Sequence, residues 1–297
     1  MIGERTLGQS LHWDAMALAA PAALGLFLLV IGPTLGVIAL ALTDWQFGQQ
    51  SARFVGLDNF AEMLGDRTFR TSLINTAIYV AVVVPSVCIL GFIIATVIEA
   101  HRGLRALYRS IHLLPVMATL SAMAIAWEAL LHPTIGPINA ALSSMGFGRP
   151  NWLGDADLVV PTLCLVGIWQ HLGYAMILFI AGLKAIPSDL YDAADVDGIQ
   201  SALDRAFRVT LPMLGPVTMF VIIVVALKAF EVFDTVRVLT QGGPGDASEM
   251  LLHTLYVESF EFFRTGYGSA LTVVFLITVI VLTLTKAWIL DRRVHYT

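Results

Sequence analysis

Charge is what this sequence most lacks. Its 17 Lys and Arg and 22 Asp and Glu make up 13% of 297 residues, about half the roughly 25% found in soluble domains. A soluble fold of this length could not cover its surface with so few solvated side chains, and hydrophobic residues reach 57%. An excess of positive charge is missing too. The formal net charge is −5, which leaves no basic footprint for a nucleic-acid partner. Cysteine is limited to Cys88 and Cys164, both inside apolar runs where a thiol packs as a small hydrophobe, so no disulfide framework is implied. Gly-x-x-x-x-Gly-Lys-Ser/Thr, His-Glu-x-x-His and Gly-x-Ser-x-Gly are all absent. The sequence therefore offers no phosphate-binding loop, metal site or serine nucleophile of its own, and no catalytic residue is assigned.

What is present is a series of stretches free of Asp, Glu, Lys and Arg, at 15–43, 71–98, 110–127, 129–148, 158–183, 209–227 and 265–285. A helix crossing the hydrocarbon core needs about 20 mostly apolar residues, and six of the seven qualify. The exception, 129–148, carries His132, Pro133, Pro137, Asn139, Ser143 and Ser144. It reads as a loop with a short amphipathic segment, because irregular backbone cannot face lipid. The expectation is an all-α integral membrane protein, a single transmembrane domain over 1–297. Its spans fall near 15–43, 71–98, 109–131, 158–184, 212–236 and 265–289. The first apolar run is too long for the 7–15-residue core of a signal peptide and reads as the first span.

Lys and Arg in the connections orient such a chain. With the N-terminus inside, the inner segments hold ten (Arg5, Arg102, Arg105, Arg109, Lys184, Arg205, Arg208, Lys286, Arg292 and Arg293) and the outer segments six (Arg53, Arg67, Arg70, Arg149, Arg237 and Arg264), with Lys228 inside a span. The bias places both termini in the cytoplasm. The outer loops, 44–70, 132–157 and 237–264, carry Trp45, Phe47, Phe54, Phe60, Trp152, Tyr256, Phe260, Phe262 and Phe263, which suits interfacial anchoring or a partner's docking surface.

The longest inner connection, 185–212, has its own structure. Pro187 ends the incoming span, Ser188 or Asp189 can cap a new helix over about 189–197, and Gly198 can close it in the left-handed conformation. Residues 200–208 can form a second short helix, and Pro212 can open the next span. Asp192-Ala193-Ala194, Asp197-Gly198 and Val209-Thr210-Leu211-Pro212 resemble the cytoplasmic loop of the membrane subunits of binding-protein-dependent ABC importers, in particular the sugar-type permeases. Their pattern there is Glu-Ala-Ala, three residues, Gly, nine residues, then Ile-x-Leu-Pro. Phe54-Val55-Gly56-Leu57-Asp58-Asn59-Phe60 and Leu239-Thr240-Gln241-Gly242-Gly243-Pro244 are similar to two further motifs of that family. Two departures stand out. Asp192 replaces Glu, and ten residues rather than nine follow Gly198, which turns the second short helix by about 100° if it stays regular.

The resemblance implies that this loop is a coupling helix seated on an ATPase chain. Asp192, Ala193, Ala194, Asp197, Gly198, Arg205, Phe207, Leu211 and Pro212 would carry the contact. An amphipathic helix on the membrane surface is the other reading, but such helices are usually basic on the polar face and this one is acidic. The resemblance also implies a second homologous permease, an ATPase dimer holding ATP and Mg, an extracytoplasmic solute-binding protein and a bacterial or archaeal cytoplasmic membrane. No cofactor is expected on this chain. An ion-gradient-driven secondary transporter is the alternative; its inverted repeats are not visible in the sequence.

Ionisable groups at membrane depth are functional candidates by default. Lys228, Glu231 and Asp234 are spaced to share a helix face, either as a Lys228–Glu231 ion pair or as a polar wall of a solute path. Gln170, His171 and Tyr174 share another face, where hydrogen-bonding groups beside an aromatic ring suit a polyhydroxylated ligand. His171 could equally bond a neighbouring helix. With Val232, these are the expected path residues; Asn75, Trp127 and Glu128 are lesser candidates.

Overall fold

The computed structural model of this chain describes residues 4–100, 103, 105–199 and 201–293, with side chains apart from those of 4–14, 120 and 285–293. Of the charges used for orientation, Arg102 and the side chains of Arg5, Lys286, Arg292 and Arg293 lie outside the described residues, as does Gln200 of the inner loop. Helix α1 (Glu4–Leu26) runs through a π-helical turn (Phe27–Ile31) into α2 (Gly32–Leu40). There follow α3 (Asp58–Gly65), α4 (Arg67–Ala100), α5 (Arg105–Met117), α6 (Leu120–Leu131), α7 (Pro137–Ser144), α8 (Val159–Ala185) and α9 (Ser188–Val196). Beyond them come α10 (Ala202–Arg205), a second π-helical turn (Ala206–Thr210), α11 (Leu211–Met213), α12 (Gly215–Phe230), α13 (Asp234–Leu239), α14 (Leu251–Tyr256), a third π-turn (Val257–Glu261) and α15 (Thr265–Arg293). Among the described residues β pairing is confined to one isolated bridge, Thr43 to Phe54. The fold is all-α.

Among the described residues five helical stretches are long and apolar enough to cross a membrane: Ala15–Leu40, Arg67–Ala100, Val159–Ala185, Gly215–Leu239 and Thr265–Leu284. A sixth is completed if α5 and α6 cross together. Residues 109–131, expected as one continuous span, are instead two helices bent by 103°. Pro115 lacks an amide hydrogen inside α5, and Thr119 takes an extended backbone (φ −67, ψ 139) that no helix can propagate through. The span expected over 212–236 is helical from Gly215 to Phe230 and resumes as α13 after a break. Within 129–148 the amphipathic piece is α7, opened by Pro137 in its first turn.

The chain divides into two compact units, Met1–Gly65 with Leu255–Val274, and Asp66–Thr254 with Phe275–Thr297. In the first, no residue of Ala15–Leu40 is buried, and Leu18 and Leu29 are about four-fifths exposed. An apolar helix with no buried residue among those described is suited to lipid or to another chain. The segment after α2 turns at Gly56, whose φ of +63 needs glycine. Asn59 then donates to the Ala41 and Thr43 carbonyls, both at 2.8 Å. Arg264 pairs with Glu62 and with Glu258, and lies 4.4 Å from the Tyr267 ring centroid.

In the second unit α4 and α8 pack along their lengths, α12 lies against both, and α5 lies against α8. Tyr79, Val83, Val87, Leu163, Met176, Phe179, Val221 and Val225 form its buried centre. The close approach of the helices depends on glycines in α8. Gly167 faces the Tyr79 hydroxyl, Gly173 faces the His112 carbonyl, and Gly182 meets Leu214 and Val217; a Cβ at any of the three would overlap its neighbour. Small residues serve this purpose where lipid removes the hydrophobic drive between helices.

Candidate functional site

A cavity of about 390 Å³ opens in the second unit where α8, the end of α12 and the break between α5 and α6 meet. All six path residues expected from the sequence line it: Gln170, His171 and Tyr174 from α8, and Lys228, Glu231 and Val232 from α12 and the residues after it. Tyr79, Pro115, Val116, Ala118, Phe233, Asp234 and Thr235 complete the wall. The broken backbone around Ala118 borders this cavity, the setting in which a membrane protein tolerates irregular backbone.

The charged groups here are not neutralised by each other. No salt bridge among the described residues joins Lys228 to Glu231. The helix ends at Phe230, and Glu231 is its cap (φ −84, ψ 18), so the pairing that a continuous helix would offer is not kept. Phe233 (φ −138, ψ −62) redirects the chain before α13 restarts at Asp234. The Lys228 ammonium lies instead 5.5 Å from the centroid of the Tyr174 ring, an arrangement worth more as water is excluded. Lys228 and Glu231 are both exposed on the chain taken alone, whereas Val232 is buried. Lipid cannot receive two exposed charges, so this face is built for water, solute or another polar protein surface.

The lesser candidates lie elsewhere. Trp127 packs edge-on against Trp169 at 5.4 Å, and Glu128 is exposed outside the cavity lining. Asn75 is buried and donates to the carbonyls of Ala247 and Glu249 at 2.9 and 3.0 Å. It holds the loop after α13, where sequence reasoning missed a buried network. The Glu249 carboxylate lies 3.0 Å from His253 Nδ1 and accepts from the Thr254 hydroxyl at 2.9 Å. Gly242, at φ +82, leaves this carboxylate room that a Cβ would take. Ser248 Oγ lies 2.8 Å from Thr240 Oγ1, and the Leu251 amide donates to Thr76 Oγ1 at 2.9 Å. The available signal was a Glu and a His four residues apart, just past Gly242-Gly243-Pro244, in a chain otherwise poor in charge.

The loop between α8 and α12 carries the second group of expected residues. Helix α9 ends as its sequence suggests. Gly198 takes φ +79, its amide donates to the Asp195 carbonyl at 3.1 Å, and Ile199 N–H reaches the Ala194 carbonyl at 2.9 Å. Ala194 is buried, while Asp192, Ala193 and Asp197 are exposed. Arg205 pairs with Asp195, and the Tyr191 hydroxyl lies 3.2 Å from Thr210 Oγ1. Phe207, Leu203 and Val196 are 67%, 71% and 89% exposed, an apolar edge with no cover in this chain. Leu211 is half-buried and Pro212 sits exposed in the first turn of α11. The segment between Gly198 and Val209 does not wind as a regular helix throughout. Its last part is the π-turn Ala206–Thr210, and a π-turn houses a residue more than an α-turn. The added residue is thus absorbed locally, without the 100° rotation a regular helix would impose.

An all-helical bundle with unpaired charges around a cavity at membrane depth, and with a self-capped acidic helix on the loop at its end, defines a multi-pass membrane transport subunit. The particular family follows from residues 60–296, which match the binding-protein-dependent transport system inner membrane component family; the chain belongs to it. Over 266 residues it is 31% identical to the probable ABC transporter permease protein YurN of Bacillus subtilis, covering 88% of this chain and 91% of that one. It is 30% identical over 265 residues to the sulfoquinovosyl glycerol transport system permease protein SmoG of Agrobacterium fabrum, covering 88% and 84%. In fold it is similar to a chain from the crystal structure of a bacterial ABC transporter involved in the import of the acidic polysaccharide alginate. The TM-score is 0.83 at 20% identity, with coverage of 98% of this chain and 100% of the other.

Proposed function

We propose that this permease is one of two homologous membrane subunits of an ATP-driven importer, and that it carries a sugar or sugar-like solute by alternating access. The observation that carries the reading is the exposed, unpaired Lys228 and Glu231 beside Gln170, His171 and Tyr174. Hydroxyl-rich solutes present hydrogen-bonding edges and apolar faces, which this mix of charge, amide, imidazole and phenol ring can match. A relative named for sulfoquinovosyl glycerol and another, 28% identical, named for sn-glycerol-3-phosphate support a polyhydroxylated cargo.

In this reading both termini face the cytoplasm and α9 rides in a groove of an ATPase dimer, which supplies ATP and Mg. Asp192, Ala193, Ala194, Asp197, Gly198, Arg205, Phe207, Leu211 and Pro212 form the contact, and an extracytoplasmic binding protein delivers the solute. Closure of the ATPases moves α9 and turns the cavity outward. ATP-dependent uptake in vesicles holding all the subunits tests this. Asp192→Lys lowers uptake more than tenfold with assembly intact, because the reversed charge meets the basic groups that the acidic face is matched to. Wild-type uptake by that variant would falsify the coupling assignment, and uptake by this chain alone on an ion gradient without ATP overturns the motor-driven mechanism.

A further inference from the structure

Behind the wall of the cavity stands a buried pair that does not itself line it. His253 and Glu249 are both buried, and neither is among the lining residues. His253 Nδ1 lies 3.0 Å from Glu249 Oε2, and since a carboxylate only accepts, Nδ1 carries a proton. The carboxylate is fixed in turn by the Thr254 hydroxyl and by a berth at Gly242 that a Cβ would fill. His253 Nε2 is buried with no hydrogen-bond partner among the described residues, so the hydrogen bonding that orients the ring is on its Nδ1 edge. The ring rests against Phe233, with 6.2 Å between centroids and 35° between planes. Phe233 does line the cavity, and its backbone is where the chain turns from α12 to α13. It therefore stands between the two acidic groups of the wall, Glu231 and Asp234. At such a break the helical hydrogen-bond ladder is interrupted, which leaves side-chain packing to fix the angle.

We propose that His253 is a positioning residue for the cavity. Held by Glu249, its ring backs Phe233 and sets the angle of the break that presents Glu231 and Asp234 to the interior. An apolar side chain could fill the same space without burying a carboxylate beside it; what the pair adds is one fixed orientation of the ring. The importance of that angle for transport rests on the proposed solute path, whereas the angle itself does not depend on which solute is carried.

Cysteine accessibility in the full-length chain in detergent tests this without any solute. Cys88 and Cys164, both buried, are replaced by alanine. Asp234→Cys, at a half-buried wall position, then reports the wall through its rate of modification by a sulfonated methanethiosulfonate. Glu128→Cys, exposed outside the lining, is the reference. His253→Asn keeps a donor for Glu249 and removes the ring; it is expected to raise the rate at 234 about fivefold against the reference, the scale of one aromatic contact. His253→Phe keeps the ring and removes the donor; it is expected to leave the rate within about twofold of the parent, although the carboxylate it strands lowers the melting temperature. Phe233→Ala raises the rate as His253→Asn does, and the two together raise it no further. An unchanged rate in His253→Asn, an equal rise in His253→Phe, or rises in His253→Asn and Phe233→Ala that multiply overturns the proposal. Should one histidine variant fail to fold, the other decides alone. Uptake plays no part in the readout, so this proposal and the solute path stand or fall separately.

Discussion

Two loops of the second unit, the one after α13 and the one between α8 and α12, use their charged residues in opposite ways. The loop after α13 turns inward. Glu249 is 7% exposed and His253 1%, and the carboxylate, the neighbouring hydroxyls and the backbone carbonyls of Ala247 and Glu249 all have partners within the unit. The loop between α8 and α12 turns outward. Asp189, Asp192, Asp195, Asp197 and Arg208 are exposed, and Phe207, Leu203 and Val196 project beside them. The first loop has its carboxylate partnered as folded, as a buried charge requires, while His253 Nε2 is buried with no hydrogen-bond partner among the described residues. The second leaves apolar edges exposed among charges, the pattern a docking surface would have in the proposed coupling role.

That contrast can be broken by substitution. The largest effect is expected for Glu249→Ala, which strands the His253 ring and the Thr254 hydroxyl without their buried hydrogen-bond partner. It destabilises the chain by about 3 kcal/mol, read as a lower melting temperature of the purified protein in detergent; an unchanged melt means this loop is not internally locked. Next is Asn75→Ala, which leaves the Ala247 and Glu249 carbonyls without their donor at a cost of about 2 kcal/mol, visible by melting and by faster amide exchange over 240–250. The smallest effect on stability belongs to Phe207→Ala, within about 0.5 kcal/mol as for an exposed site. If the proposed coupling contact holds, its ATP-dependent uptake is nevertheless expected to fall several-fold, because the truncation would remove contact with the partner and not with the fold. A melting shift for Phe207→Ala comparable to that of Asn75→Ala erases the distinction between the loops.

Legibility in the sequence followed how locally each feature is determined. Charge-free stretches mark apolar helices because a single charge at membrane depth is costly, and the polar exceptions, Gln170, His171, Tyr174, Lys228 and Glu231, converge on one cavity for the same reason, with Val232 beside them. The end of α9 was readable from Gly198, since only glycine takes φ +79 without strain. The break at Thr119 was not. Pro115 also lies inside a helix, as do Pro21 and Pro85, so proline alone does not tell a tolerated kink from a 103° bend. The Lys228–Glu231 ion pair, one of the two readings, is not made, for a comparable reason. Helical spacing implies contact only while the helix continues, and nothing at Phe230 announces its end. The Glu249 network was hidden because its partners, Asn75 and Thr76, are about 170 positions distant in sequence.

The three glycines of α8 bear on mechanics. Helices normally lock by setting ridges of side chains into grooves, and sliding one past another means lifting each ridge out of its groove. Where Gly167, Gly173 and Gly182 stand, α8 offers no ridge, and its neighbours rest on bare backbone. Displacement along α8 therefore meets a smooth track at those three levels. The helix that supplies Gln170, His171 and Tyr174 to the cavity thus offers little resistance to being passed by its neighbours at those levels.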